Sequence, residues 1–239
     1  MNNKKNRIIA MIPARIGSTR LKNKNLALLN SKPLIYYSIN AAKKSKIFDK
    51  IIINSDSELF SKISKRYKVG FYKRSEKLGG SNIKSDDVVL DFILNNPCDI
   101  LVWVNPIAPL QTSKEIIECV KYFRKNKLNS LITMVEKKVH YVFKNKPVNF
   151  SLKGKFAQTQ DLNFLQEMVY SIMMWTTKSF IRNMKNNKSG ILHGKIGYYN
   201  VDQLSSNIIK YKNDLLIVES ILKAKNKKNY KIKYDKIIC

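Results

Sequence analysis

The sequence predicts an α/β fold in which helices cover a mostly parallel sheet. Its first two thirds alternate short apolar runs rich in β-branched residues, which are typical of buried strands, with segments whose apolar residues recur at helical spacing. This βαβ rhythm favours parallel strands joined by crossover helices. At 239 residues, the chain suits a single domain with a sizeable core, and its composition, 44% hydrophobic and 26% charged, is that of an ordinary globular protein.

The predicted strands and helices follow one another in a regular order. Apolar runs predict strands at Ile8–Ile12, Lys50–Asn54, Val69–Tyr72, Ile100–Val104 and Ser130–Val135. Helical spacing predicts helices at Leu34–Lys44, Leu59–Tyr67, Asp87–Asn95, Lys114–Arg124 and Leu215–Lys223. Polar clusters follow four of the strands, at Arg15–Asn25, Ser55–Asp56, Arg74–Asp87 and Asn105–Thr112. Because ligands of such sheets bind beyond the carboxyl ends of the strands, we expect the functional site there.

The rhythm changes between residues 140 and 180. Aromatic and β-branched segments predict antiparallel strands at Tyr141–Phe143, Asn149–Phe150 and Val169–Trp175. This insertion is either an edge hairpin or a small dimerisation arm, for which Met173, Met174 and Trp175 offer large, adaptable contacts. If the insertion is a dimerisation arm, we expect the protein to be a homodimer. Residues 224–239 form a lysine-rich tail after the last predicted helix.

The charge of the chain is its most misleading property. The formal net charge of +28 by itself suggests a protein that binds nucleic-acid phosphates. Only seven of the 45 cationic residues are arginine, whereas recognition of phosphates and base edges favours arginine for its paired donors. Many lysines fall on the polar faces of the predicted helices. We therefore expect solvated surface charge and no specific nucleic-acid partner.

Several patterns bear on where the protein works. The sequence has no apolar run of about eighteen residues, so no membrane span is expected. The apolar run near the N-terminus is too short for a secretory signal. Cys98, Cys119 and Cys239 lack metal-ligand spacing and make an odd count. A reducing cytoplasm is the expected compartment.

The segment Ile8–Asn25 carries the strongest functional signal. An apolar strand is followed by a turn with Gly17 and Ser18, and cations lie on both sides of that turn, among them Arg15 and Lys24. Small residues let backbone N–H groups approach a ligand, and cations neutralise phosphate charge. The segment therefore predicts a loop that holds the phosphates of a nucleotide triphosphate.

Several segments, in order, resemble one known family. IPARIGSTRLKNKN followed by KPLIYYSINAA resembles the opening of the acylneuraminate cytidylyltransferases, and the similarity continues through NSDSELFSKISKRY, RSEKLGGSNIKSDDVVLDFI, VNPIAPLQT, QTQDL and NDLLIVESIL. The resemblance implies a Rossmann-like nucleotidyltransferase fold. It also implies transfer of CMP from CTP to an acidic, nonulosonate-like sugar, with release of pyrophosphate. Transfer to another acid, such as an octulosonate or a phosphonate, and a catalytically silent nucleotide-binding protein remain as alternatives.

The resemblance also implies which residues bind the ligands. Those that match the family's phosphate loop are Arg15, Gly17, Ser18, Lys24 and Asn25, and those that match its base-reading segment are Arg74, Ile83 and Ser85. Asn105 stands where the family has a ligand-contacting glutamine, and Gln160 and Asp161 lie in a segment that approaches the sugar. Arg15 and Lys24, which would hold the triphosphate, are the expected catalytic residues.

Plainer roles compete with these at several positions. Asp56 is equally well the N-cap of the helix that follows it. Arg74 has Glu76 and Asp86 within reach as surface partners, and Ser85 is a candidate helix cap. Gln160 and Asp161 together suit a simple polar turn. For His140 and His193 we expect structural roles.

The chain departs from the family pattern near its end. The family's aspartate pair before the last helix, which holds magnesium, corresponds to Ile208 and Lys210, and neither offers the oxygen ligand that magnesium needs. Magnesium is still expected from the resemblance, with Asp56, Asp202 or phosphate oxygens as ligands. Alternatively, Lys210 supplies part of the metal's charge as a third catalytic residue.

Three further departures concern the acceptor. Ala108 replaces an expected serine, and Gln111 and Thr159 replace expected arginines. The loss of cations suggests an acceptor other than an ordinary sialic acid.

Overall fold

The computed structural model describes residues 6–186, 188–225, 232, 234 and 235. Within them, the strands are β1 Ile8–Ala14, β2 Leu28–Leu29, β3 Lys32–Pro33, β4 Lys50–Ser55, β5 Gly70–Lys73, β6 Ile100–Val104, β7 Ser130–Lys137, β8 Val142–Phe143, β9 Lys146–Pro147, β10 Leu165–Thr176 and β11 Ile196–Asn200. The helices are α1 Leu34–Ser45, α2 Leu59–Tyr67, α3 Ser85–Asn95, α4 Ser113–Lys125, α5 Thr177–Lys185 and α6 Lys212–Lys225.

Seven strands form one sheet in the order β11-β7-β10-β6-β1-β4-β5. β10 runs antiparallel to both of its neighbours, and the other pairs are parallel. The short strands form two separate hairpins, β2 with β3 and β8 with β9. The predicted mostly parallel, helix-covered sheet is confirmed, and the predicted bounds of α2 and β6 agree with the structure.

The side chains of β1 alternate between two apolar layers. Ile8, Ala10 and Ile12 join a cluster that includes residues of α1, α2 and α4, whereas Ile9 and Met11 join one that includes residues of α3 and α5. A strand that is covered on both faces is apolar at every position, which explains the uninterrupted run in the sequence. The two layers fix the strand ends, and with them the loops that follow β1, β5 and β6.

The expectation that Met173, Met174 and Trp175 contact a second subunit is wrong. They belong to β10, which lies inside the sheet between β6 and β7, and they are 5%, 0% and 0% exposed. The Trp175 indole Nε1 donates to the Ile191 carbonyl at 2.8 Å. Large apolar side chains suit a doubly covered strand as well as a subunit contact, so composition did not distinguish the two.

The part of the predicted insertion that precedes β10 is largely exposed, although Leu162 is 4% exposed. β8 and β9 form a small hairpin, and Asn149, which is not in a strand, ties the loop by accepting from Tyr141 N and donating to Val139 O, both at 2.9 Å. Helix α5 was not predicted. Most of the predicted basic tail lies outside the described residues. Among the described helices, none is both long and apolar enough to cross a membrane.

Candidate active site

A cleft of about 330 Å³ opens among the loops that follow β1, β5 and β6. It contains eight of the residues singled out from the sequence: Arg15, Ser18, Lys24, Asn25, Arg74, Ile83, Ser85 and Asn105. Because parallel strands end at the same edge of a sheet, segments far apart in the chain meet there. Gly17 lies in the same loop but outside the cleft lining, and a Cβ at its position would have no described atom within 4 Å.

The lining of the cleft is strongly basic. It includes Arg15, Arg20, Lys24 and Arg74, and no carboxylate side chain of the described residues lines it. Such an arrangement of cations favours an anionic ligand. Arg20 is one of the cations of the same loop in the sequence, but it was not assigned to the ligand there.

Lys24 is the most electrostatically perturbed of these cations. Burial, followed by the nearby charges of Arg20 and Arg15, lowers its pKa to about 8, while Asp214 raises it. Its ammonium Nζ donates to the Ile209 carbonyl at 3.1 Å, so the side chain also ties the loop to the segment before α6. An anion in the cleft would relieve the repulsion between the cations.

Arg74 is buried, so the alternative that it pairs with Glu76 or Asp86 at the surface is wrong. Its guanidinium donates to the Asn54 carbonyl at 3.0 Å and to Asn54 Oδ1 at 3.3 Å, and lies 3.7 Å from Asp56 Oδ1. Burial lowers the pKa of Arg74, and Asp56 partly opposes that effect. Its Nε has no hydrogen-bond partner among the described residues.

Asp56 does not cap the helix that follows it, because the N-cap of α2 is Glu58. Its Oδ1 instead accepts from the Ile16 N–H of the phosphate loop at 3.2 Å and faces Arg74. A Cβ at Gly79 would lie only 2.2 Å from Asp56 Oδ2, so the backbone of the loop after β5 passes directly against this carboxylate. Asp56 therefore joins the loops after β1 and β5, two of the three that build the cleft.

Ser85 is the first residue of α3, not its cap, since the N-cap is Lys84. The neighbouring Asp86 accepts from Gly190 N at 2.7 Å and Ile191 N at 3.2 Å, which anchors the loop after α5. Asp86 therefore holds that loop, whereas Ser85 lines the cleft.

Two further lining residues, Trp103 and Asn105, come from β6 and the position that follows it. Asn105 Nδ2 donates to the Tyr170 carbonyl at 3.1 Å, which links the cleft to β10. Trp103 lines the cleft and is 8% exposed, and its indole Nε1 has no hydrogen-bond partner in the described structure. Trp103 was missed from the sequence because ILVWV reads only as a buried strand.

Comparisons with known proteins agree with this geometry. A profile of the family described as Cytidylyltransferase matches residues 9–228. The chain belongs to the cytidylyltransferase family. It is 30% identical over 231 residues to the post-translational flagellin modification protein B of Campylobacter coli, covering 92% of this chain and 96% of that one.

Other relatives are more distant or match in part. The chain is 28% identical to the CMP-N,N'-diacetyllegionaminic acid synthase of Campylobacter jejuni, with the same coverage. Its 36% identity to the N-acylneuraminate cytidylyltransferase of Escherichia coli extends over 49% of this chain and 28% of that longer protein. A CMP:2-keto-3-deoxy-manno-octonic acid synthetase, solved with CTP, shares the fold with a TM-score of 0.68 at 13% identity, over 92% of this chain and 99% of that one.

The remaining predicted residues of this cytidylyltransferase lie outside the cleft lining. Gln160 and Asp161 are exposed in the short turn Thr159–Asp161, where the Gln160 carbonyl accepts from Lys138. Lys210 is exposed beside Ile209, whose carbonyl holds Lys24, and its charge contributes to the lowered pKa of Lys24. The Lys210 and Tyr211 N–H groups both donate to Asp214 Oδ2 at 2.7 Å, which fixes the start of α6.

Two of the departures assigned to the acceptor are in fact buried. Ala108 is 1% and Gln111 5% exposed, and neither lines the cleft. Gln111 Nε2 donates to the buried carboxylate of Glu115 at 2.7 Å; Glu115 also completes the capping box of α4 with Thr112. The structure therefore assigns these two positions to packing around α4.

The donor set of the cleft does not fit a magnesium ion held by the protein. Magnesium needs oxygen ligands in near-octahedral geometry, and the described residues contain no group of three or more His, Cys, Asp or Glu side chains placed to hold a metal. Asp56 is engaged by Ile16 and Arg74, and Asp202 is exposed with Oδ1 accepting from Leu204 N at 2.8 Å. Neither expected carboxylate is among the lining residues.

Proposed function

We propose that this cytidylyltransferase transfers CMP from CTP to an acidic, nonulosonate-like sugar and releases pyrophosphate. The observation that carries the proposal is the convergence of eight residues predicted to bind the ligands on one basic cleft. The names of the relatives support the acceptor class, since one is a synthase for a CMP-linked legionaminic acid derivative and another an acylneuraminate cytidylyltransferase.

The cations of the phosphate loop supply the electrostatic part of the mechanism. The anomeric hydroxyl oxygen of the acceptor attacks the α-phosphorus of CTP, the bond to the bridging oxygen of pyrophosphate breaks, and the hydroxyl proton is lost to solvent. Transfer of this kind depends on positioning and on neutralising charge on the phosphate oxygens. We assign that role to Arg15 and Lys24, with Lys210 adding charge from the adjacent segment.

We assign recognition of the cytidine to the other side of the cleft. Ile83, Ser85 and Trp103 line the cleft there. Cytosine presents two acceptors, its carbonyl oxygen and ring nitrogen, and the Ser85 hydroxyl is a group that can donate to them. We assign Asn105, at the junction with β10, to the acceptor as well as to the nucleotide, and Gln160 and Asp161, which lie outside the cleft lining, to the acceptor.

Magnesium receives no protein ligand in this proposal. Because the lining offers cations in place of carboxylates, we infer that any magnesium that takes part enters on the phosphate oxygens of the substrate CTP. The chain's own contribution to the charge at the phosphates is then made by Arg15, Arg20 and Lys24.

We also propose a homodimer formed through the exposed part of the insertion. Large apolar side chains are concentrated there: Val142, Phe143, Leu152, Phe156 and Phe164 are 60%, 67%, 76%, 68% and 55% exposed. Exposed apolar patches of this kind mark interaction surfaces. Light scattering on the purified protein, compared with a Phe143→Asp variant, tests this: we expect a dimer that the substitution weakens, and a monomeric wild type would contradict the proposal.

The cytoplasm is the compartment that we propose, because the three cysteines lack metal-ligand spacing and make an odd count. Cys98 and Cys119 are free thiols in the described part of the chain, and burial raises the pKa of Cys98 to about 12, which makes it unreactive.

A pyrophosphate-release assay tests the proposed reaction. Each nucleoside triphosphate is supplied with magnesium and with N-acetylneuraminate, N,N'-diacetyllegionaminate or 2-keto-3-deoxyoctonate in turn. We expect release with CTP and at least one nine-carbon acid. CTP binding without turnover of any acceptor would instead favour the catalytically silent nucleotide-binding protein. Turnover with the eight-carbon acid alone would favour the octulosonate alternative.

A further inference from the structure

The backbone of Tyr170 is strained beside the cleft. Its φ is 58°, in the left-handed region that bulky residues rarely adopt. It lies at an irregularity of β10, where the register against β7 shifts between Met168 and Met173. Strained residues persist only where their surroundings hold them, and they cluster at functional sites.

The contacts of Tyr170 show what holds it. Its carbonyl accepts from Asn105 Nδ2, and the next residue's carbonyl, that of Ser171, accepts from Asn105 N at 2.9 Å. Val169 and Ser171, on either side, are 2% and 0% exposed. The irregular part of β10 is thus fixed to a residue that lines the cleft.

The hydroxyl of Tyr170 contacts a side chain that packs against the same apolar cluster as a lining residue. Its hydroxyl is 3.4 Å from Met168 Sδ, and Met168 packs against the apolar cluster that contains Trp103, a lining residue. The side chain is nevertheless 42% exposed. A partly exposed aromatic ring is therefore carried by a backbone that is bonded to Asn105, a lining residue, while Tyr170 itself lies just outside the lining.

We propose that Tyr170 determines acceptor specificity by packing its ring against the apolar C–H face or acyl groups of the acidic sugar. This inference rests on the proposed function. A tyrosine ring offers a large apolar contact with a polar tip, which suits a ligand with both kinds of surface. The backbone strain is the cost of placing that ring there, since glycine would occupy the same conformation without strain.

Three variants test the proposal in the pyrophosphate-release assay with the acceptor panel used for the wild type. Tyr170→Gly removes the ring and the strain together, and Tyr170→Phe keeps the ring. Lys46→Gly is the matched control, because Lys46 has a φ of 54° at the exposed end of α1, outside the cleft. The KM values for acceptor and CTP are measured separately, with the melting temperature of each variant.

We expect Tyr170→Gly and Lys46→Gly to melt no lower than the wild type, because glycine relieves the strained backbone. Tyr170→Gly should raise the KM for the acceptor about tenfold and leave the KM for CTP within about twofold, whereas Tyr170→Phe and Lys46→Gly should change neither. If Tyr170→Gly melts lower, Tyr170→Asn, which also tolerates this conformation, replaces it in the comparison.

An unchanged acceptor KM in the stable ring-less variant would overturn the proposal, as would an equal rise in both KM values. Absence of turnover by the wild type with every acceptor would instead overturn the proposed function itself, and this inference with it.

Discussion

The two ends of the cleft, which we propose for the nucleotide and for the acceptor, are built in different ways. The proposed nucleotide end consists of loops that follow neighbouring parallel strands; Asp56 joins two of these loops, and four cations line them. The acceptor end depends on β10, an antiparallel strand with a strained residue, and on an exposed insertion. The sheet topology alone therefore brings the loops of one end together, whereas the other end depends on how β10 and its exposed neighbours pack.

The largest effect that we expect concerns the phosphate loop. Arg15→Ala should weaken CTP binding about thirtyfold, or ~2 kcal/mol, because a lining cation facing phosphate is lost. Calorimetric titration measures the effect. Gln160→Ala, at the acceptor end and outside the lining, is the control and should leave CTP affinity unchanged. A change of less than about twofold, or ~0.4 kcal/mol, for Arg15→Ala would remove the assignment of the phosphate loop.

The next effect concerns Asp56, the carboxylate that joins the loops after β1 and β5. Asp56→Asn should weaken CTP binding about tenfold, since an amide still accepts from Ile16 N–H but loses the attraction to Arg74. Asp202→Asn changes an exposed carboxylate in the same way and should have little effect. If the two variants lose CTP affinity equally, the loss comes from the change in net charge and not from the position of Asp56.

A third expectation follows from the lowered pKa of Lys24. The protonated ammonium favours bound phosphate, so CTP affinity should fall as pH rises above about 8, by up to about tenfold between pH 7 and 9. Lys24→Arg should flatten this dependence, because a guanidinium stays charged throughout. A wild-type affinity that is constant over this interval would contradict the placement of Lys24 at the phosphates.

The smallest expected effect separates two adjacent glycines. A Cβ at Gly79 would lie 2.2 Å from Asp56, whereas at Gly80 the nearest described atoms are 3.4 and 3.5 Å away. Gly79→Ala should therefore displace the carboxylate and weaken CTP binding about threefold, or ~0.7 kcal/mol, while Gly80→Ala should not. The two titrations are compared directly, and equal affinities would show that the segment shifts without disturbing the cleft.

Local patterns predicted well which residues meet at the cleft. Two signals were sufficient: the order of strand, turn and cations in Ile8–Asn25, and the polar clusters that follow successive strands. They predicted that Arg15, Lys24, Arg74 and Asn105 lie at one edge of the sheet, and the structure brings these residues together there. This prediction was possible because the carboxyl ends of parallel strands lie at the same edge of a sheet, so residues that directly follow such strands lie close together.

Contacts between distant segments were not predictable in the same way. The partners of Asp56 are 40 and 18 positions away in the chain, and the burial of Gln111 depends on Glu115 and the packing of α4. The apolar run of β10 fits either an interior strand or a surface contact, and only the sheet order decides between them. The left-handed backbone at Tyr170 has no local signal, since tyrosine rarely adopts it.

The most direct test of the central claim is calorimetric titration of the wild type with CTP and UTP, each with magnesium and again with a chelator. We expect CTP to bind at least about tenfold more tightly than UTP. Removal of divalent cations should leave CTP affinity within about threefold, because the chain supplies the positive charge. Equal affinity for the two nucleotides, or loss of CTP binding in chelator, would contradict a cytidine site whose charge comes from Arg15, Arg20 and Lys24.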